Sequence, residues 1–319
     1  MPSPPEPDVV SPEDVSIPVD GRAPLKGWHW HRPGPRGVLV VAHGLGEHSG
    51  LYRSLAEFLV PTLGVDVLAF DFLGHGRSPG RRGHLERYEQ LLDDLLASTR
   101  WVARIRPGVP RFVLGHSNGG VVSILSLLRE PDAADGLILS NPALRLKYQP
   151  PRHKLIAGHV LRVLAPWVTL SGPLPTGDLS RDPLQQVLIR GDHLMHNRLG
   201  PPLFFGMRAG GISALQHAPR MTTPLLVVVG DDDPIIEPDS GRSFHDRYGA
   251  EDKALRSEPG FVHAPLFDLG RGAIYGCLAD WLRPRLSLSR DDVQFQSDGH
   301  PPSHGPDQPD RTIRGTMNR

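Results

Sequence analysis

The chain has one cysteine, Cys277, among 319 residues. It can therefore form no internal disulfide and no cysteine-rich metal site. It also lacks net charge, because 35 lysines and arginines balance 35 aspartates and glutamates. That balance excludes a partner held mainly by electrostatics, and no nucleic-acid partner is expected from it. Long hydrophobic runs are missing too. The longest, such as Val38 to Ala42 and Leu225 to Val229, are far below the roughly 20 residues of a membrane span. Met1 to Asp14 is rich in proline and acid and has no basic-then-apolar segment, so no signal peptide is expected. These absences leave a soluble, cytoplasmic globular protein as the expectation. Glycine (35) and proline (34) are abundant, yet the hydrophobic share is 39% and falls in compact runs, which suits a chain that buries a core. Histidine is also frequent, at 16, so no single histidine is informative without its context.

The pattern along the chain predicts an α/β fold. Residues 1–14 read as a flexible arm. Val15 to Val19 and Leu25 to His31, around Asp20-Gly21, read as a hairpin. Val38 to Ala42 reads as a strand buried on both faces and Val65 to Phe70 as a second buried strand, and Phe112 to Leu114, Leu137 to Leu139, Leu225 to Val229 and Lys253 to Ser257 read as further strands. Helical patterns run over Ser54 to Leu59, Leu85 to Ile105, Val121 to Leu128 and Ala273 to Leu282. Such alternation implies a mostly parallel central sheet with helices on both faces. Between the two parts of this core, 15–144 and 221–284, lies a long interruption at 145–220. Its Leu155, Ile156, Val160, Val163, Leu164 and Trp167 are spaced as one apolar helix face, which predicts a helical cap over one edge of the sheet. Residues 285–319 are polar and rich in Pro, Gly, Asp and Ser, as in a disordered tail.

Gly115-His116-Ser117-Asn118-Gly119 sits between a predicted strand and a predicted helix, the setting in which G-x-S-x-G forms a nucleophile elbow. The serine must occupy a strained turn, and glycines on either side let strand and helix approach. A serine hydroxyl needs a base, and the base needs an orienting carboxylate. Gly230-Asp231-Asp232-Asp233 follows the fifth parallel strand at the sheet edge where ligands bind. Asp233 is the first choice for the carboxylate and Asp231 the second. Of the histidines that follow, His245 falls in a surface helix, and His300 and His304 fall in the tail. His263 lies in a loop between the sixth strand and the last helix, and its position selects it as the base.

An oxyanion needs donors, and the glycine-rich His43-Gly44-Leu45-Gly46-Glu47-His48 turn after the first buried strand can supply one. The amides of Leu45 and Asn118 are assigned as the pair. His43, Gly44, Gly46, Glu47, Gly115, His116 and Gly119 are assigned as support. Asp71 to Ser78 reads as a structural turn beside the site. His29 and His31 alternate on one strand face. With no third ligand evident they read as a solvated face, so no metal site is expected.

These segments together resemble the α/β-hydrolase superfamily. His43-Gly44-Leu45-Gly46-Glu47-His48-Ser49-Gly50 is similar to its monoacylglycerol lipase and lysophospholipase-like branch, which belongs to the S33-type Hydrolase_4 group. Ser180-Arg181-Asp182-Pro183 and Asp192-His193-Leu194-Met195-His196 are similar to strings in that branch's cap. Two residues depart from the pattern: Asn118 stands where methionine is common, and His193 where proline is usual. The resemblance implies Ser117 as nucleophile, Asp233 and His263 as its partners, and Leu45 and Asn118 as oxyanion donors. It implies a serine esterase without cofactor, acting on a small-molecule or lipid ester, with monoacylglycerol or lysophospholipid as the preferred class. A transient membrane-surface contact through the cap, at Leu155 to Trp167, is a further hypothesis. The alternatives are an S33-type peptidase or acyltransferase with the same triad, in which Glu47 or Asp182 could receive a free amine, and a non-enzymatic scaffold.

Overall fold

The computed structural model describes residues 11–172 and 176–286. The expected arm lies outside them up to residue 10, and the expected tail, with His300 and His304, from residue 287. The chain opens with the antiparallel pair β1 (Pro12–Val19) and β2 (Arg22–Trp30). The first strand therefore starts three residues before the Val15 boundary suggested by apolar alternation. The ladder pairs Pro12 with Trp30, and backbone hydrogen bonding requires no apolar side chain.

Next come β3 (Val38–Ala42), α1 (Arg53–Leu63), β4 (Asp66–Phe70), α2 (Glu89–Ile105), β5 (Arg111–His116), α3 (Asn118–Arg129) and β6 (Gly136–Ser140). The segment 145–220 carries α4 (Arg152–Leu164), the two-residue strand β7 (Leu170–Ser171), α5 (Thr176–Leu179), α6 (Pro183–Gly191), β8 (Arg198–Leu199) and α7 (Pro201–His217). Then β9 (Leu225–Gly230), α8 (Pro238–Arg247), β10 (Lys253–Glu258) and α9 (Arg271–Arg285) complete the fold.

One eight-stranded sheet runs in the order β1-β2-β4-β3-β5-β6-β9-β10. The six strands from β4 to β10 in that order pair in parallel, as expected for strands linked through helices, and the β1–β2 pair joins antiparallel through β2 on β4. All five residues of β3 are buried, and they alternate between two cores. Val38, Val40 and Ala42 pack in the core that includes α2 and α3, while Leu39 and Val41 pack in the core that includes α1 and α9. A strand covered on both faces must be apolar throughout, which is why these strands are short continuous runs.

The strand order reverses at β3: β4 lies on one side of it and β5, later in the chain, on the other. Loops leaving β3 and β5 diverge at such a point and open a crevice at the carboxyl ends of the strands. The Leu45 turn follows β3 and Ser117 follows β5, so topology alone brings them to one crevice.

The helical period expected from Leu85 starts later, at Glu89. Leu85 and Tyr88 are nevertheless buried in the core from the preceding turn. Within 145–220, α7 contributes Leu203, Met207 and Ala214 to the same core as α3, whereas α4 has no buried residue. Among the described residues no helix is long and apolar enough to cross a membrane.

Candidate active site

Ser117 joins β5 to α3 with φ 51° and ψ −119°, a conformation that L-residues avoid. The surrounding glycines explain how the turn closes. A Cβ on Gly119 would lie 2.1 Å from the Ala42 carbonyl oxygen, and one on Gly115 would lie 2.6 Å from Ser123 Oγ. The first turn of α3 therefore presses directly on the end of β3, and only hydrogen side chains fit there. Ser117 is anchored on both sides, its N–H donating to Ser140 O at 3.0 Å and its carbonyl accepting from Ala143 N at 2.9 Å.

His263 Nε2 lies 2.9 Å from Ser117 Oγ, and His263 Nδ1 lies 2.7 Å from Asp233 Oδ2. The sequence predicts that these three residues act together, and they lie in hydrogen-bonding sequence in space. Asp233 is 1% exposed. Its Oδ1 accepts from the amides of Ile235 and Ile236 at 2.7 and 3.0 Å. Burial opposes ionisation of this carboxyl, but the adjacent His263 and the two amides outweigh it and hold its pKa below the ordinary value. Asp231, the second choice, points elsewhere. It pairs with Arg242 and accepts from Ser257 Oγ.

The Leu45 amide has no acceptor among the described residues. The Asn118 amide is the first of α3, where helical N–H groups point outward without an intrahelical partner. The Leu45 turn is braced from beneath. Glu47 Oε2 accepts from Gly44 N at 2.8 Å and from Tyr52 Oη at 2.9 Å, and its other oxygen faces His116 Nε2 at 3.4 Å, an ion-pair distance. His116 Nδ1 donates to Ser140 O. Although burial opposes charge on both partners, the mutual attraction wins: the Glu47 carboxyl is held at about 2 and the His116 imidazolium is favoured above its usual 6.5. His43 Nδ1 donates to Gly44 O and its Nε2 accepts from Phe72 N, which fixes the start of the turn. Gly46 has φ 77° and a Cβ there would lie 1.9 Å from the His196 carbonyl oxygen, so this glycine is required twice over.

The two cap-like strings prove to be tethers. Ser180 Oγ donates to Phe267 O, and the Arg181 amide and Nε both donate to Asp268. Asp182 caps α6 through Leu184 N and pairs with Arg271. Asp192 Oδ2 lies 2.7 Å from His48 Nε2, and His196 N donates to Gly46 O. The segment 145–220 is thus fastened to the Leu45 turn at one point and to the His263 loop at the other.

One reading changes on inspection, and one residue is new. His29 is buried rather than solvated: it pairs with Asp66 and meets Trp101 edge-on, because α2, which carries Trp101, covers that face of the strand. Asn141 gave no sequence signal, yet it bridges the site. With φ 40° it directs Nδ2 to the carbonyls of Val262 and His263, at 3.0 and 2.8 Å, while Oδ1 accepts from Gly230 N at 2.7 Å. An asparagine two residues before an alanine, after a strand, is a common enough turn that only the fold could single it out.

Comparison with known proteins places this geometry in context. The family described as serine aminopeptidase, S33 (Hydrolase_4) matches residues 33–270. A monoacylglycerol lipase of Mycolicibacterium smegmatis is 32% identical over 253 residues, covering 79% of this chain and 90% of that protein. The human monoglyceride lipase is 31% identical over 241 residues, covering 74% of this chain and 78% of that protein. Among solved structures, the monoacylglycerol lipase of Paleococcus ferrophilus superimposes with a TM-score of 0.74 at 31% identity, covering 82% of this chain and 98% of that one.

Proposed function

The chain belongs to the serine aminopeptidase S33 (Hydrolase_4) family of α/β-hydrolases, and on that premise we propose that it hydrolyses monoacylglycerols through Ser117, His263 and Asp233. It is a carboxylic-ester hydrolase. The observation that carries the mechanism is the unbroken sequence of contacts from Ser117 Oγ to His263 to Asp233.

Ser117 Oγ attacks the ester carbonyl carbon while its proton passes to His263 Nε2. Asp233 accepts from His263 Nδ1, fixing the tautomer and stabilising the imidazolium that forms. The negative charge moves to the former carbonyl oxygen, where the amides of Leu45 and Asn118 receive it. The tetrahedral species collapses, the ester C–O bond breaks, and His263 returns its proton to the departing glycerol oxygen. Water then attacks the acyl-enzyme with His263 again as base, releasing the fatty acid and restoring Ser117.

Two features favour a lipid ester over a peptide with a free amine. Glu47 and Asp182, the carboxylates a peptidase could use to hold that amine, are both spent: Glu47 on Gly44, Tyr52 and His116, Asp182 on Leu184 and Arg271. In addition, α4 and α6 turn Ile156, Val163, Leu164, Val187 and Leu188 outward, with Val163 77% and Leu164 70% exposed. Apolar surface of this kind suits transient contact with a lipid surface from which the substrate is drawn.

The test is a panel of monoacylglycerols graded by chain length, with lysophospholipids and aminoacyl anilides alongside and Ser117→Ala as the blank. Turnover of monoacylglycerols and labelling of Ser117 by a fluorophosphonate are the expected results. Preference for the anilides, or labelling that persists in Ser117→Ala, would overturn the assignment.

A further inference from the structure

We propose that Tyr88 is a positioning residue for the oxyanion hole, acting through the side chain of Asn118. The inference rests on the hydrolase reading, in which the Asn118 amide receives the developing charge.

Asn118 is 2% exposed, so its carboxamide has little access to water. Among the described residues, its side chain has one hydrogen-bond partner: Tyr88 Oη donates to Asn118 Oδ1 at 2.7 Å. Tyr88 lies in the turn just before α2 and is 6% exposed. Burial raises its phenol above the usual 10, so the hydroxyl keeps its proton and remains a donor throughout the range in which esters are assayed. The ring cannot drift away, because α7 grips it through glycines one helical turn apart. A Cβ on Gly206 would fall 2.4 Å from Tyr88 Cβ, and one on Gly210 would fall 3.5 Å from Tyr88 Cε1 and 2.8 Å from Val121 Cγ1. Tyr88 is therefore wedged between α3 and α7 with its hydroxyl fixed on the residue that follows the nucleophile.

This arrangement accounts for a polar residue where the related branch commonly has methionine. A methionine there needs no partner, whereas a buried carboxamide does. Deprived of the hydroxyl, the carboxamide loses that one partner and is free to turn, on the residue whose amide receives the developing charge. Such loosening of the donor weakens binding of the transition state and leaves binding of the substrate little changed.

Tyr88→Phe removes one oxygen and keeps the ring. The expected loss is about tenfold in kcat on p-nitrophenyl butyrate, which is about 1.4 kcal/mol at 25 °C, with KM unchanged within about twofold. Affinity for a trifluoromethyl ketone, whose adduct mimics the oxyanion, falls in step with kcat. In an Asn118→Met background, where no carboxamide requires a partner, the same Tyr88→Phe change alters kcat by less than about twofold, whatever activity that background retains. An equal loss in both backgrounds, a loss confined to KM, or no loss in the parent overturns the proposal. If Tyr88→Phe does not fold, the double variant decides the question. Its folding, with the turnover of Asn118→Met alone, supports the role, and its failure to fold overturns it. A parent protein that hydrolyses no ester refutes the hydrolase reading itself. An active parent indifferent to Tyr88→Phe refutes only the role of Tyr88.

Discussion

Asn141 offers the sharpest test of how the site is held together. Its carboxamide is buried and makes three hydrogen bonds: two donated to the carbonyls of Val262 and His263 and one accepted from Gly230 N. At about 1 kcal/mol net for each bond, removing the side chain costs about 3 kcal/mol of stability. Alanine adds about 1 kcal/mol more, because φ at this position is 40° and a Cβ without a compensating polar group is disfavoured there. Asn141→Ala is therefore expected to lose about 4 kcal/mol, whereas Asn141→Gly, which adopts that φ freely, loses about 3 kcal/mol. Activity falls as well, because the carbonyl of His263 itself is one of the acceptors. A shift of the imidazole by an ångström costs about 100-fold, so a 10- to 100-fold drop in kcat is expected. The backbone bonds from His263 and Ala264 to Asp178 and Leu179 limit the shift and keep the loss at the lower end of that range. Urea unfolding followed by fluorescence gives the stability, and p-nitrophenyl ester turnover gives the activity. If Asn141→Gly unfolded at the parent's midpoint and kept the parent's kcat, the bridge would be incidental and this account of the His263 loop wrong.

Three further outcomes follow from the geometry. Asp233→Asn lowers kcat by about 10⁴, as expected when the imidazole loses its orienting carboxylate. Asp231→Asn, which only breaks a part-exposed pair with Arg242, changes kcat little and stability by less than about 1 kcal/mol. Equal effects from the two would refute the choice between them. The Glu47–His116 pair makes stability depend on pH at both ends. Glu47 is held at about 2 against an ordinary 4.5, so its contribution is present above 4.5 and lost as pH falls toward 2. His116 is raised above 6.5, so its contribution is full below 6.5 and lost as pH climbs through the raised value. Thermal midpoints of Glu47→Gln measured across pH should lie furthest below the parent between these limits, with the gap narrowing toward both extremes, and a constant difference would exclude the pair. Finally, Val163→Glu with Leu164→Glu, on the exposed face of α4, abolishes co-sedimentation with phosphatidylglycerol vesicles while p-nitrophenyl butyrate turnover stays at the parent level. Unchanged sedimentation would remove the lipid contact.

What the sequence determined by itself was local. Short apolar runs at Val38, Val65, Phe112, Leu137 and Leu225 specify buried parallel strands, because a strand covered on both faces has little polar side to show. Gly115 to Gly119 between a strand and a helix specifies a strained serine turn, because the glycines and the turn are adjacent in the chain. His263 could be chosen from order and position alone. The tertiary structure decided whatever depends on two distant segments meeting. It separated Asp233 from Asp231, which no spacing distinguishes, since one faces His263 and the other Arg242. It gave Asn141 its three contacts and Tyr88 its hold on Asn118 across 30 positions of chain. It also turned the Ser180 and Asp192 strings into fastenings of the insertion. A hydrogen bond between remote residues leaves no periodicity in either segment, so the pattern that reveals a strand or an elbow carries no trace of it.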